Sequence, residues 1–245
     1  MPRSYARHFA GVNEWRASMD IWPVLIGVGC AALVVLIVVG IVVSVRRERR
    51  RRAALQHWAW QHGWTYTDKP RVEWARRLPG TRSRGVTLML SGVVDGYPVS
   101  VADYYYQTES TSTTSSAGGT TSTSTSTSTH YLTVVVVRLG RPGPTVAVVP
   151  RHGLSKLGRA VFGEGKTALG YQEFDKAFKV STKDPVAGRQ LIGPRLAAEH
   201  LAGRVPAWSL HGADLMSWRP GRLKDPAQVV ELARPVVQVA RLLGH

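Results

Sequence analysis

Ile21–Val45 reads IWPVLIGVGCAALVVLIVVGIVVSV, twenty-five residues without a charged side chain, and RRERRRR follows at once from Arg46 to Arg52. At the helical rise this run is about 37 Å long, against a hydrocarbon core of about 30 Å. Length and composition therefore predict a transmembrane helix over 21–45. A buried core helix is rarely apolar on every side over such a length, and a signal-peptide core is shorter and ends in a small-residue cleavage site. Around this span the chain falls into a short tail at 1–20, a basic juxtamembrane helix at 46–63 and a soluble domain at 64–245.

The positive-inside rule sets the direction. Arg3, Arg7 and Arg16 precede the span, whereas Arg46, Arg47, Arg49, Arg50, Arg51 and Arg52 crowd the seven residues after it. That bias predicts a single-pass protein of the cell membrane with its N-terminus outside and its C-terminal domain in the cytoplasm. The same six arginines are the candidate contacts for anionic lipid head groups, each worth about 1 kcal/mol near such a surface. Because the span already anchors the chain, that energy would orient the domain or gather anionic lipid.

The 245 residues carry a formal charge of +16. Residues 1–52 hold nine arginines against Glu14, Asp20 and Glu48, so +10 belongs to the remaining 193 residues, a length sufficient for one domain with its own core. A basic domain beside a bilayer is drawn to anionic head groups or to nucleic acid. The single cysteine, Cys30, lies in the span, which excludes an intrachain disulfide and agrees with a reducing compartment.

Within the juxtamembrane helix Leu55, Trp58, Ala59 and His62 share one side, and Gly63 stops it. That face is expected to pack on the domain. Trp64–Thr67 reads as a strand, Val72–Leu78 as a brief helix, and Val86–Val94 with Tyr97–Tyr106 as a hairpin around Asp95-Gly96. The run QTESTSTTSSAGGTTSTSTSTST, residues 107–129, contains nothing that could bury a core and is expected to be a disordered loop. Its hydroxyls are candidate acceptors for phosphate or sugar. His130–Leu139 and Thr145–Pro150, joined by GRPGP, predict a second hairpin; Trp208–His211 and Ala213–Trp218, around Gly212, predict a third.

Leu154–Phe162 has helical spacing. In YQEFDKAFKV a strand reading puts Phe174, Phe178 and Val180 at alternate positions and Glu173 with Asp175 on one face. Asp184 and Pro185 open a short helix to Ile192, and a second follows Pro194 to about Ala202. Asp225 and Pro226 open a last helix with Val229, Leu232, Ala233, Val236, Val237, Ala240 and Leu243 on one face and a kink at Pro235. The sum is an α+β fold: one N-terminal transmembrane helix, then about seven strands in a mainly antiparallel, partly closed sheet with short helices and a C-terminal helix.

The segment EFDKAFKVSTKDPVAGRQLIGPRL, Glu173–Leu196, resembles a motif of bacterial membrane-associated proteins of unknown function. The layout of one span, a basic stop and this domain is similar to uncharacterised single-pass membrane proteins of high-GC actinobacteria. The resemblance implies one folded domain and carries no activity and no catalytic residues.

The chemistry-bearing patterns are few. AVFGEGKT, Ala160–Thr167, matches a phosphate-binding loop only if Ala160 replaces its first Gly, and it lacks the preceding strand and the following helix that such a loop needs. The eight histidines are scattered without a cysteine in the domain, which speaks against a zinc site. Glu173 and Asp175 are expected to answer nearby basic groups, and Tyr104, Tyr105 and Tyr106 to pack on both faces of a strand. No GxSxG occurs. No cofactor, metal or catalytic residue is therefore assigned. The reading is a membrane-tethered, non-enzymatic domain that binds a protein partner or an anionic lipid surface. The alternatives are an enzyme with an unrecognised active site and a basic nucleic-acid-binding domain.

Overall fold

The computed structural model describes residues 21–80, 83–115, 121–151 and 167–244. The tail at 1–20 and the expected helix at 154–162 lie outside the described residues. The chain divides between Ala53 and Ala54, inside helix α1 (Ile21–Gln61), into two compact units.

In the first unit every residue from Leu25 to Val45 is exposed, and the helix is long and apolar enough to cross a membrane. Ser44, the polar residue in this run, turns its hydroxyl back onto the Ile41 carbonyl at 2.8 Å, which satisfies it without water.

The second unit opens with the last turns of α1. Leu55 and Ala59 are buried in its core and Trp58 is packed against them, as the sequence predicts. Gly63 then ends the helix at φ +69°: the Trp64 amide returns to the Ala59 carbonyl at 2.8 Å, the Gly63 amide to that of Trp60 at 3.5 Å. This is a Schellman closure, which needs the left-handed conformation that glycine adopts without strain.

Among the described residues the sheet has six strands, all paired antiparallel: β1 (Thr65–Asp68), β2 (Arg84–Val94), β3 (Tyr97–Ser115), β4 (Thr121–Pro150), β5 (Phe178–Thr182) and β6 (Trp208–Pro220). The order is β1-β2-β3-β4, with β3 and β5 following one another along one side of β4 and β6 along the other. Asp95 and Gly96, at φ +51° and +87°, make the two-residue turn that the sequence calls for between β2 and β3. The partly closed sheet that was expected is instead open. β1 is only four residues long and pairs β2 alone, and β6 pairs β4 alone, so nothing joins the two ends.

Three further expectations are corrected. GRPGP and Gly212 do not reverse the chain. They bend two long strands that stay paired, with register shifts on either side of Gly143↔Gly212. A Cβ on Gly143 would come within 2.7 Å of the Leu210 Cδ2, so any larger residue here would have to displace that side chain. In the described parts of the Ser/Thr run, where a disordered loop was expected, Gln107↔Thr129 to Ser115↔Thr121 continue the β3–β4 ladder without a shift. Threonine is a strand former and cross-strand Thr pairs are mildly stabilising, so the ladder propagates from Tyr106↔His130 without a core beneath it. Finally, Gln172–Ala177 is a helix, α2, and the strand begins only at Phe178.

Helices α3 (Pro185–Leu191), α4 (Pro194–Leu201) and α5 (Gln228–Leu242) complete the unit. The Asp184 carboxylate accepts the Val186 and Ala187 amides at 2.9 and 3.1 Å, an N-cap with Pro185 at the first helical position. One sheet face, with Leu88, Leu90, Val101, Val137 and Leu215, packs with Val229, Ala233, Val236 and Val237 of α5, Phe174 of α2 and Leu196 of α4. The other, with Val86, Tyr104, Tyr106, Val134 and Met216, packs with Trp74 of a 3₁₀ turn, Glu73–Arg77, and with Leu78, which follows it. Arg77 pins that turn to β6, donating to Asp214 at 2.5 Å, and Arg138 reaches the other Asp214 oxygen at 2.7 Å.

Candidate functional site

The six arginines divide into two groups. Glu48 lies one helical turn before Arg51 and Arg52 and accepts from both, at 2.9 Å each, which turns these two charges back onto the helix. Arg46, Arg47, Arg49 and Arg50 are exposed and have no acidic partner among the described residues. Four cations thus follow directly on the apolar run.

In the second unit a cleft of about 140 Å³ opens between α5 and the β4–β6 floor, lined by Thr133, Val135, Pro206, Ser217, Leu232 and Pro235, with Arg219 and Glu231 beside them. Its volume equals roughly four or five water molecules, so it seats one side chain or one ring and not a whole lipid. Pro235 has no N–H, which deprives the Glu231 carbonyl, four residues back, of its helical donor. Ser217 is 5% exposed and its hydroxyl has no partner among the described residues, whereas the Thr133 hydroxyl is spent on the Gly221 carbonyl at 3.1 Å. The cleft therefore offers mainly apolar walls, with the Ser217 hydroxyl and the Arg219 and Glu231 side chains as polar groups. Among the described residues that line it, no nucleophile is activated by a neighbour.

Beside this cleft Asp103, fully buried on β3, accepts the Leu223 amide at 2.8 Å, and the Arg222 guanidinium lies 3.8 Å from the centre of the Tyr131 ring. These contacts fasten the segment that connects β6 to α5. His200 of α4 is buried among Phe174, Phe178 and Trp208, and its Nε2 accepts the Trp208 indole N–H at 2.9 Å. Its Nδ1 has no partner, and burial pushes its pKa down to about 4.

The other sequence candidates have structural roles. Glu173 and Asp175 are on α2 and do not share a strand face. Asp175 caps the preceding loop by accepting the Leu169 and Gly170 amides at 3.1 and 2.9 Å, and Glu173 pairs Lys176 at 2.9 Å. Tyr104 and Tyr106 are buried beneath the 3₁₀ turn; the Tyr104 hydroxyl donates to the Pro79 carbonyl at 2.6 Å, and burial raises its pKa to about 12. AVFGEGKT lies outside the described residues except for Thr167, whose amide donates to the Val180 carbonyl at 3.0 Å. The cleft and the His200 cage were not singled out from sequence. The one signal for the cleft was Pro235 inside an apolar helix pattern.

No family model matches the sequence, and no curated protein does. Among solved structures the chain is similar to the crystal structure of the mycobacterial trehalose monomycolate transport factor A, TtfA, at a TM-score of 0.51 and 16% identity, over 80% of this chain and 95% of that one. At that identity the likeness is one of fold alone.

Proposed function

We propose that this chain is a membrane-tethered, non-enzymatic domain that holds a protein partner or an anionic lipid surface against the bilayer. The observation that carries the reading is the exposed apolar helix running directly into Arg46, Arg47, Arg49 and Arg50, four cations that no carboxylate among the described residues neutralises. In this reading the N-terminus is outside and the domain cytoplasmic, so the arginines meet the leaflet richer in anionic lipid. Trp60, 79% exposed on the last turn of α1, and the α5 cleft are the places where a partner would bury an anchoring side chain. The name of TtfA, a trehalose monomycolate transport factor, makes the handling of a lipid the context we assign.

The test uses the intact chain in nanodiscs of phosphatidylcholine with and without phosphatidylglycerol. Native mass spectrometry should find phosphatidylglycerol enriched on the wild type and not on a chain with Arg46, Arg47, Arg49 and Arg50 all changed to Gln. Equal enrichment on both would remove the lipid-surface role. Protease added to sealed inverted vesicles should digest the domain; its survival would reverse the orientation.

A further inference from the structure

The Ser/Thr ribbon is a pairing arm for a second copy of this chain, as we infer from its edges and its symmetry. β2 ends at Arg84↔Tyr106 and β6 at Leu132↔Pro220, and once the Gln107 amide has donated to the Ser83 carbonyl at 2.9 Å, β3 and β4 continue alone in the two-stranded ribbon of Gln107–Ser115 with Thr121–Thr129. Nine residue pairs make it about 30 Å long, with a row of unpaired backbone donors and acceptors along each edge.

Folded chains protect such edges with lysine, proline, a bulge or brevity. The outer edge of the sheet at β1 follows that pattern: it is four residues long and closes with Asp68, Lys69 and Pro70. The ribbon follows none of it. Its strands contain no Lys, Arg or Pro, and the ladder has no register shift. A two-stranded ribbon with polar side chains on both faces is also marginal by itself, and further strands are what stabilise it.

The two edges differ, and the difference selects the partner. Thr121–Thr129 reads TSTSTSTST, uncharged and the same in both directions, whereas the β3 edge reads QTESTSTTS and carries Glu109. A strand that is palindromic is complementary to itself in an antiparallel pair. A two-fold axis at Thr125 sets Thr121 opposite the second copy's Thr129 and Ser122 opposite its Ser128. Threonines then meet threonines on one face and serines meet serines on the other, an isologous contact that closes at two copies. The arm also has no cation, in a chain of formal charge +16, so it is where two like-charged copies approach without repulsion. Tethering in one bilayer further raises their effective concentration.

The experiment uses the full chain in lipid vesicles with Cys30→Ser, which removes the one native thiol, and a single new cysteine. Thr125→Cys should form a disulfide-linked dimer under mild oxidation. Thr111→Cys, the cross-strand neighbour of Thr125, would lie three strand spacings, about 14 Å, from its counterpart and should stay monomeric. Adding Ser124→Lys and Ser126→Lys to the Thr125→Cys chain should abolish the cross-link while tryptophan emission is unchanged. Equal cross-linking at 111 and 125, or none at 125, would overturn the proposal. So would intact-mass measurement of protein from its native membrane showing sugar or phosphate on the ribbon, which would make it an acceptor for modification.

Discussion

Protonation of His200 is the mildest change of conditions that should loosen the helix-side core. The ring is 2% exposed, and accepting the Trp208 indole N–H on Nε2 leaves its own proton on Nδ1. A second proton would have to sit on Nε2, where it would face the indole donor and destroy that bond. Burial therefore holds the native pKa near 4, against 6.5 for an ordinary histidine. As pH falls below 6.5 the unfolded chain takes up a proton that the native state refuses until about 4. The stability this group confers is thus complete above 6.5, declines through the interval, and is gone below about 4. At about 1.4 kcal/mol per pH unit the whole loss is about 3 kcal/mol, with about 2 kcal/mol reached by pH 5, a large share of the stability of an ordinary domain. Glu199, next in the chain, is held below the usual carboxylate range by its hydrogen bonds from Arg204, so its own titration falls lower. The assay is denaturant unfolding of the intact chain in nanodiscs, followed by tryptophan emission between pH 7.5 and 5, for wild type and His200→Gln. Glutamine keeps an acceptor for Trp208 and does not titrate, so its profile should be flatter by about 2 kcal/mol at pH 5. Parallel profiles for the two chains would refute the reasoning.

Gly92→Val should destabilise the domain by about 1–3 kcal/mol, because a Cβ there would run into the Trp64 indole that closes α1; unchanged unfolding and unchanged tryptophan emission would count against it. Asp184→Ala should cost about 1 kcal/mol by freeing the Val186 and Ala187 amides, with Asp184→Ser recovering most of it in the same denaturation assay. Pro235→Ala restores the missing helical bond to the Glu231 carbonyl, and should raise stability by up to about 3 kcal/mol. A thermal midpoint that does not rise would mean that another group already satisfies that carbonyl.

The parts of the fold that were legible in the sequence are those settled within a few residues. Asp95-Gly96 demands two positive φ angles and receives them; Gly63 ends α1; Asp184-Pro185 caps α3; and the apolar face of α5 runs through Val229, Ala233, Val236, Val237 and Ala240, all buried. Where the sequence misled, the same local signal has two tertiary outcomes. Glycine and proline at 140–144 serve a reversal or a bulge equally well, and only the partner strand, with Leu210 pressed against Gly143, decides for the bulge. The alternation of Phe174, Phe178 and Val180 gave a strand period across a helix–strand junction, because Phe174 and Phe178, four residues apart, also stack on one another at 5.1 Å.

The candidate site was legible only at its membrane end, where six arginines in seven residues speak for themselves; the sorting into four free and two bound needed the i+3 and i+4 geometry around Glu48. The cleft was not legible, since Thr133, Ser217 and Pro235 come from β4, β6 and α5 and meet only when the sheet forms. Yet Pro235 was a conspicuous residue to find there. Proline inside a helix costs about 3 kcal/mol, and a neighbour such as alanine would pack against this sheet without that penalty. Here the cost falls on a turn that lines the cleft, where Pro235 withdraws the i+4 helical donor from the Glu231 carbonyl. A costly residue placed on a turn that lines an apolar cleft is the physical ground for testing the cleft as a binding surface instead of dismissing it as a packing defect.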